Sequence, residues 1–321
     1  MLQSRKVAFA KGTISNLSIQ WKAYLLFCAY YQLHPFKISI NVLCCYCQFL
    51  SRSFKSVCSI KNYLNGVRIL FLLQGMEINK FSSFELKLTL RGLSRVLQHL
   101  PKQALPITLE ILEKIHKYLN LKKSEDVTFW CLFLFAFFLL SRKSNLVPIS
   151  SRKFDNTKQL CRKDIIIQKS YLLVRFKWTK TIQFGDRVLY IPLVAIPSSK
   201  FCPVSAYKRM CEFNPASTES PAFLIESRGK LIPLAYNQFQ NKLKQLISLI
   251  GLNPLLFSSH RLYSFRRGGA TLLANAGIPS NMIQLMGDWK SDAYKEYIVN
   301  DLSDRLKVAN KIEKIVICQE R

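Results

Sequence analysis

Apolar positions recur every three or four places along the first hundred residues. In "SNLSIQWKAYLLFCAYYQL" (15–33) they fall at Leu17, Ile19, Trp21, Tyr24, Leu25, Cys28 and Tyr31, close to helical spacing, with Ser15/Asn16 as a start signal. The stretches "SINVLCCYCQFLSRSF" (39–54), "SIKNYLNGVRILFLLQGM" (59–76) and "SSFELKLTLRGLSRVLQHL" (82–100) repeat the pattern, and none alternates as a strand would. "PKQALP" (101–106), bracketed by Pro101 and Pro106, reads as a linker. Beyond it "TLEILEKIHKYLN" (108–120) predicts an amphipathic helix, and "VTFWCLFLFAFFLL" (127–140) has no polar face at all. The period then changes. "DIIIQ" (164–168), "YLLVRFKW" (171–178) and "RVLYIPL" (187–193) are rich in β-branched and aromatic residues, and "TKTIQFGD" (179–186) suits a turn between the last two. From Pro203 onward the spacing is helical again, with Gly277 and Gly287 at helix ends and Ser280 and Ser291 at helix starts. No fixed-period repeat or low-complexity segment is present. The expected fold class is mostly α with a small antiparallel β-sheet (α+β). The expected organisation is an all-helical domain over 1–100, a linker over 101–106 and a mixed domain over 107–321.

The run from Val127 to Leu140 is short of the about 20 residues that span a bilayer, and it ends in Ser141-Arg142-Lys143, so a buried core helix is expected. The N-terminal "MLQSRKVAFAKGTISN" lacks the apolar stretch of a secretory signal. Of the 321 residues 49% are apolar, enough for a substantial core, which excludes global disorder. Charge narrows the choice of partner. Against 19 acidic residues stand 47 Lys and Arg, a net charge of +28 spread along the chain. Such an excess repels itself unless it meets a polyanion, which puts nucleic acid ahead of an anionic membrane surface or a basic helical scaffold. The ten cysteines form no disulfide framework. Cys44-Cys45-Tyr46-Cys47 contains a CxxC, but no second pair stands at ligand spacing, so free buried thiols in a reducing compartment are expected rather than zinc.

Cations and phenols stand at definite intervals in "YSFRRGGATLLANAGIPSNMIQLMGDWKSDAYKEYI" (263–298). Arg266 opens a helix there, Trp289 follows, and Tyr297 comes eight residues later; Arg142 follows the buried run immediately and Lys180 is expected at the tip of the hairpin between strands. Such groups can cleave a phosphodiester without metal. Two guanidinium groups can neutralise charge developing on the non-bridging oxygens, a lysine can protonate the leaving oxygen, and a phenol can attack in line to form a covalent ester.

Four blocks in this order resemble the tyrosine recombinases, or phage-type integrases, over most of the chain. Within that family the chain looks closest to the recombinases of DIRS-like and Crypton-like eukaryotic transposons. "FFLLSRKSNLVP" (137–148) resembles the block of the first arginine, Arg142, and "FKWTKTIQFGDRVLYIPL" (176–193) the sheet block with Lys180. "YSFRRGGATLLANAG" (263–277) resembles the block of the second arginine, Arg266, and "LMGDWKSDAYKEYI" (285–298) the block with Trp289 and the nucleophile Tyr297. The resemblance implies a site-specific DNA recombinase or integrase, from a mobile element, that cleaves and rejoins double-stranded DNA through a 3′-phosphotyrosyl link. It implies no metal or nucleotide cofactor and no membrane. It also implies a monomer assembling to a homotetramer on DNA, a helical core-binding domain and a catalytic domain that clamp the duplex, and a nuclear location.

One residue departs from the pattern. Tyr263 stands where the family usually has a histidine for acid–base work, which a phenol with a pKa near about 10 performs poorly. A catalytically impaired DNA-binding relic of the same fold is therefore the alternative. His260 is out of register to substitute, and Asn145 replaces an acidic residue common in bacterial members. Tyr294 shares a helix face with Tyr297, and Lys177 lies three residues before Lys180, so each is a rival for its neighbour's role. Arg267 reads as a DNA or structural contact, Trp289 serves packing as well as phosphate, and His34, His99 and His116 sit in helical patterns as surface or packing residues.

Overall fold

A computed structural model describes residues 8–99, 104–182, 184–257, 263–299 and 306. Contacts divide the chain into two compact units, 1–102 and 103–321.

The described residues of unit 1 hold four α-helices: α1 (Lys11–Tyr30), α2 (Ile40–Ser51), α3 (Val57–Leu73) and α4 (Phe84–Leu97). The first begins four residues before its expected start. Ser15 lies inside it, its hydroxyl donating to the Lys11 carbonyl at 3.2 Å rather than capping. Ser39 and Ser83 do act as caps, accepting from the amides of Val42 and Leu86. The helices close on Tyr24, Phe27, Leu43, Tyr46, Leu64, Val67 and Phe71. The phenol of Tyr24 donates to the Pro35 carbonyl at 2.7 Å and the Trp21 indole to the Gly66 carbonyl at 2.6 Å, so neither ring buries an unsatisfied donor there. Cys47 packs in this core, where burial pushes its thiol up to about 12, while Cys45 is exposed, unlike the buried thiols expected.

Unit 2 is built around one helix. After α5 (Leu109–Lys117), α6 (Ser124–Phe138) is buried at every position from Asp126 to Phe137, which is why its sequence shows no polar stripe. Its acidic first turn is satisfied: Asp126 accepts from the Asn120 amide at 2.8 Å and pairs with Lys242 at 2.6 Å. A single helical turn, α7 (Lys143–Leu146), leads to a three-stranded antiparallel sheet of β1 (Ile165–Ile167), β2 (Tyr171–Phe176) and β3 (Leu189–Val194), in that order. Val174 pairs with Ile191 and Leu172 with Leu193, so one face of the sheet covers the core. Pro192 is tolerated because β3 is an edge strand. Buried Asp164 before β1 accepts both Nε and Nη2 of Arg175, pairs with Lys177 at 2.8 Å and takes the Cys161 amide at 3.0 Å. Burial acts to raise its pKa, but these donors hold it below the usual carboxylate value.

The rest comprises α8 (Pro203–Phe213), β4 (Leu224–Ser227), β5 (Lys230–Pro233), α9 (Tyr236–Leu249), α10 (Pro254–Phe257), α11 (Tyr263–Asn275), α12 (Ser280–Met286) and a 3₁₀ segment (Asp292–Tyr297). The β4–β5 hairpin corrects the expectation of helix throughout from Pro203. Its two-residue turn places both Arg228 and Gly229 at positive φ, the geometry a type I′ turn needs. Helix α12 is preceded by Pro279 as its cap, with Ser280 already helical, whereas Ser291 does accept from the Ala293 amide. No helix among the described residues is long and apolar enough to cross a membrane.

Candidate active site

The glycine pair of the 263–298 stretch decides how α11 lies. A Cβ at Gly268 would stand 1.8 Å from the Ile107 carbonyl oxygen, and one at Gly269 would stand 2.3 Å from that of Phe137. Only bare backbone allows this approach, and it sets α11 directly against the end of α6. The two expected arginines are thereby brought together. Arg142 caps α7 with extended backbone, four residues beyond α6 rather than directly at its end, and lines a narrow crevice with Arg266, Thr179, Gly287 and Asp288.

Arg266 is the centre of the cluster. It is 2% exposed, its Nη2 donates to the Gly287 carbonyl at 2.6 Å, and its guanidinium lies 3.8 Å from the Trp289 ring centre and 5.2 Å from that of Tyr297. Stacking on an indole in a desolvated place contributes about 2 kcal/mol. A side chain at Gly287 would strike the Trp289 ring at 1.6 Å, so glycine is required for the indole to lie there. The indole nitrogen of Trp289 is buried, with no hydrogen-bond acceptor among the described residues.

Tyr297 is half-buried at the end of a 3₁₀ segment rather than on an α-helix, its ring 5.2 Å from that of Trp289. Two residues of α11 hold the segment: Nη1 of Arg267 donates to the Glu296 carbonyl at 3.0 Å, and the Thr271 hydroxyl accepts from the Val299 amide at 3.1 Å. Arg267 is thus a structural contact here. Tyr294 is 4% exposed and belongs to the small core of Leu140, Ala270, Ile283 and Trp289.

Lys180 is exposed on a tight turn whose ends, Thr179 and Ile182, bond each other through both backbone groups, at 3.3 and 3.2 Å. That turn is the first part of the 177–188 connector between β2 and β3, not the tip of a short hairpin. Its rival, Lys177, is engaged with Asp164 and with the Asn156 carbonyl at 2.7 Å. Tyr263 opens α11, but its side chain and His260 lie outside the described residues. Asn145 is buried beside Arg142 and accepts from the Ser144 hydroxyl at 3.3 Å.

One residue escaped the sequence reading. Asp288, 9% exposed, joins the Trp289 segment to the Lys180 turn, accepting from the hydroxyls of Thr179, at 2.7 Å, and Thr181, and pairing with Arg187. The threonines on either side of Lys180 were the available signal. The described residues include no group of three His, Cys, Asp or Glu that could hold a metal ion.

No protein-family model matches the chain, and no curated protein matches it in sequence. Its fold is shared with solved DNA-bound recombinases and integrases. The Tn1549 transposon integrase in complex with transposon right-end DNA superposes with a TM-score of 0.63 at 13% identity, over 97% of this chain and 96% of that one. The XerH site-specific recombinase bound to difH, in a pre-cleavage complex, gives 0.58 at 16% identity, over 92% and 78%. A lambda integrase dimer bound to a COC′ core site gives 0.57 at 15% identity, over 93% and 91%.

Proposed function

We propose that the chain is a DNA strand-transferase, a site-specific recombinase or integrase whose nucleophile is Tyr297. The observation that carries this reading is that Arg142 and Arg266 line one crevice, that the Arg266 guanidinium lies over the rings of Trp289 and Tyr297, and that Thr179, beside Lys180, lines the same crevice. The shared fold supports it. In this mechanism the Tyr297 oxygen forms a bond to phosphorus and gives its proton to solvent water, while the bond to the 5′ oxygen breaks and that oxygen takes a proton from the Lys180 ammonium. The guanidinium groups of Arg142 and Arg266 and the Trp289 N–H stabilise the charge on the non-bridging oxygens. The covalent ester keeps the bond available for rejoining to a partner strand.

Double-stranded DNA is the proposed partner of unit 1 as well. Lys61 on α3 and Lys87, Arg91 and Ser94 on α4 line an open basic groove, and phosphate contacts of this kind position a duplex without reading its sequence. A mobile-element origin and tetrameric assembly on DNA belong to the same proposal.

Covalent trapping on a pool of nicked duplexes of randomised sequence tests it. A nick beside the cleavage point lets the short fragment diffuse away, so a phosphotyrosyl adduct accumulates and survives a denaturing gel. The expected result is an adduct with the wild type and none with Tyr297→Phe. Tyr263, in place of a histidine, favours a second reading, a DNA-binding relic. Salt-sensitive duplex binding with no adduct, restored by Tyr263→His, would decide for it.

A further inference from the structure

The connector between β2 and β3 carries Lys180, and it is tethered to the Trp289 segment through one side chain. Asp288 accepts from the hydroxyl of Thr179, the residue before Lys180, and from that of Thr181, the residue after it. Arg187, at the far end of the same connector, closes the group as an ion pair. The same aspartate lies between Gly287, whose carbonyl takes the Arg266 guanidinium, and Trp289, on which that guanidinium stacks. Its backbone is held at φ +52°, a left-handed conformation a non-glycine residue adopts only against a cost. Burial alone would raise its pKa, yet the hydroxyls of Thr181 and Thr179 and the Arg187 guanidinium hold it lowered, so it meets them as a carboxylate.

We propose that Asp288 is a positioning residue for proton delivery: it fixes the Thr179–Lys180–Thr181 turn against the arginine–tryptophan cluster, so that the Lys180 ammonium meets the leaving 5′ oxygen. This rests on the strand-transfer reading above. The step it governs is the transfer of one proton from the ammonium to that oxygen as the phosphorus–oxygen bond breaks, leaving a neutral lysine amine. Asp288 touches neither the phosphate nor the leaving group and acts only through the turn. Removing it is therefore expected to slow leaving-group departure without displacing Tyr297, which Arg267, Thr271 and the core around Tyr294 hold independently.

The test compares two versions of the nicked duplex recovered by trapping: one with the ordinary 5′ oxygen at the scissile position and one with sulfur in its place. A thiolate leaves without protonation, so it bypasses the lysine. Asp288→Gly removes the carboxylate and keeps the backbone free to adopt positive φ. With oxygen, Asp288→Gly and Lys180→Ala are each expected to form adduct about 100-fold more slowly than wild type, the scale of a lost general acid. The double variant should be no slower than Lys180→Ala alone, because both changes remove the same step. With sulfur, all three should approach the wild-type rate. Thr181→Val, a smaller change at a partly buried site, should show a weaker form of the same sulfur rescue and serves if Asp288→Gly does not fold. An equal slowing of the aspartate and threonine variants on both duplexes overturns the positioning role while leaving the function intact. No adduct from the wild type on either duplex overturns the strand-transfer reading, and this proposal with it.

Discussion

Tyr294 and Tyr297 are three residues apart and chemically identical, and burial separates them. Tyr294 fills a small core, so Tyr294→Phe should form adduct at close to the wild-type rate in the trapping assay. Arg266→Lys keeps the charge but loses the planar stack on Trp289 and bidentate reach, and adduct formation is expected to fall by about 100-fold or more. Asp164 gives a prediction about stability. Asp164→Ala leaves Arg175 and Lys177 without their carboxylate, and chemical denaturation should show a loss of about 3 kcal/mol, the low end for a broken buried pair because both partners reach solvent. Its folded pKa is lowered, so its contribution is complete above the unfolded value of about 4 and is lost as pH falls through the folded one. Denaturation at successively lower pH should therefore show a flatter acid loss in Asp164→Ala than in wild type. The sequence could single out the arginines and Tyr297 because each sits in a recognisable run of neighbours, and the structure places Arg266 over the Tyr297 ring. Asp288 was not legible, since nothing in the letters Gly-Asp-Trp says that the carboxylate is buried against threonines more than a hundred positions earlier.

Helices with a clear stripe, and the stripeless α6, were legible as elements because period and length identify them. The β4–β5 hairpin was hidden because strands of four residues carry too little period to read and its Arg-Gly turn lacks the usual Asn-Gly signature. The crossing of α11 on α6 was only half legible: the glycine pair was visible, but its neighbours at Ile107 and Phe137 were not. That crossing predicts that Gly268→Ala and Gly269→Ala are destabilising despite alanine's better helix propensity, by about 1–3 kcal/mol each through overpacking. Thermal melts of both variants check this. An unchanged or raised Tm would contradict the close approach.

For the whole molecule, the net charge of +28 was read directly from the sequence and predicts a strongly salt-dependent affinity for duplex DNA. With six or more phosphate contacts, binding should weaken by about 10³-fold or more between about 50 and 200 mM salt. Lys87→Ala and Arg91→Ala in unit 1 should each lower the slope of log affinity against log salt by about 1, with little change in sequence preference, as fluorescence anisotropy would show. The central claim is that Tyr297 makes the covalent link to DNA, and mapping the trapped adduct tests it most directly. Trypsin cuts after Lys295 and Arg261, so Tyr294, Tyr297 and Tyr263 fall on three different peptides. Mass spectrometry of the nuclease-trimmed adduct should find the nucleotide on the peptide that begins at Glu296. A nucleotide on the peptide of Tyr294 or Tyr263 would contradict the assignment, as would a wild-type protein that binds duplex and yields no adduct at all.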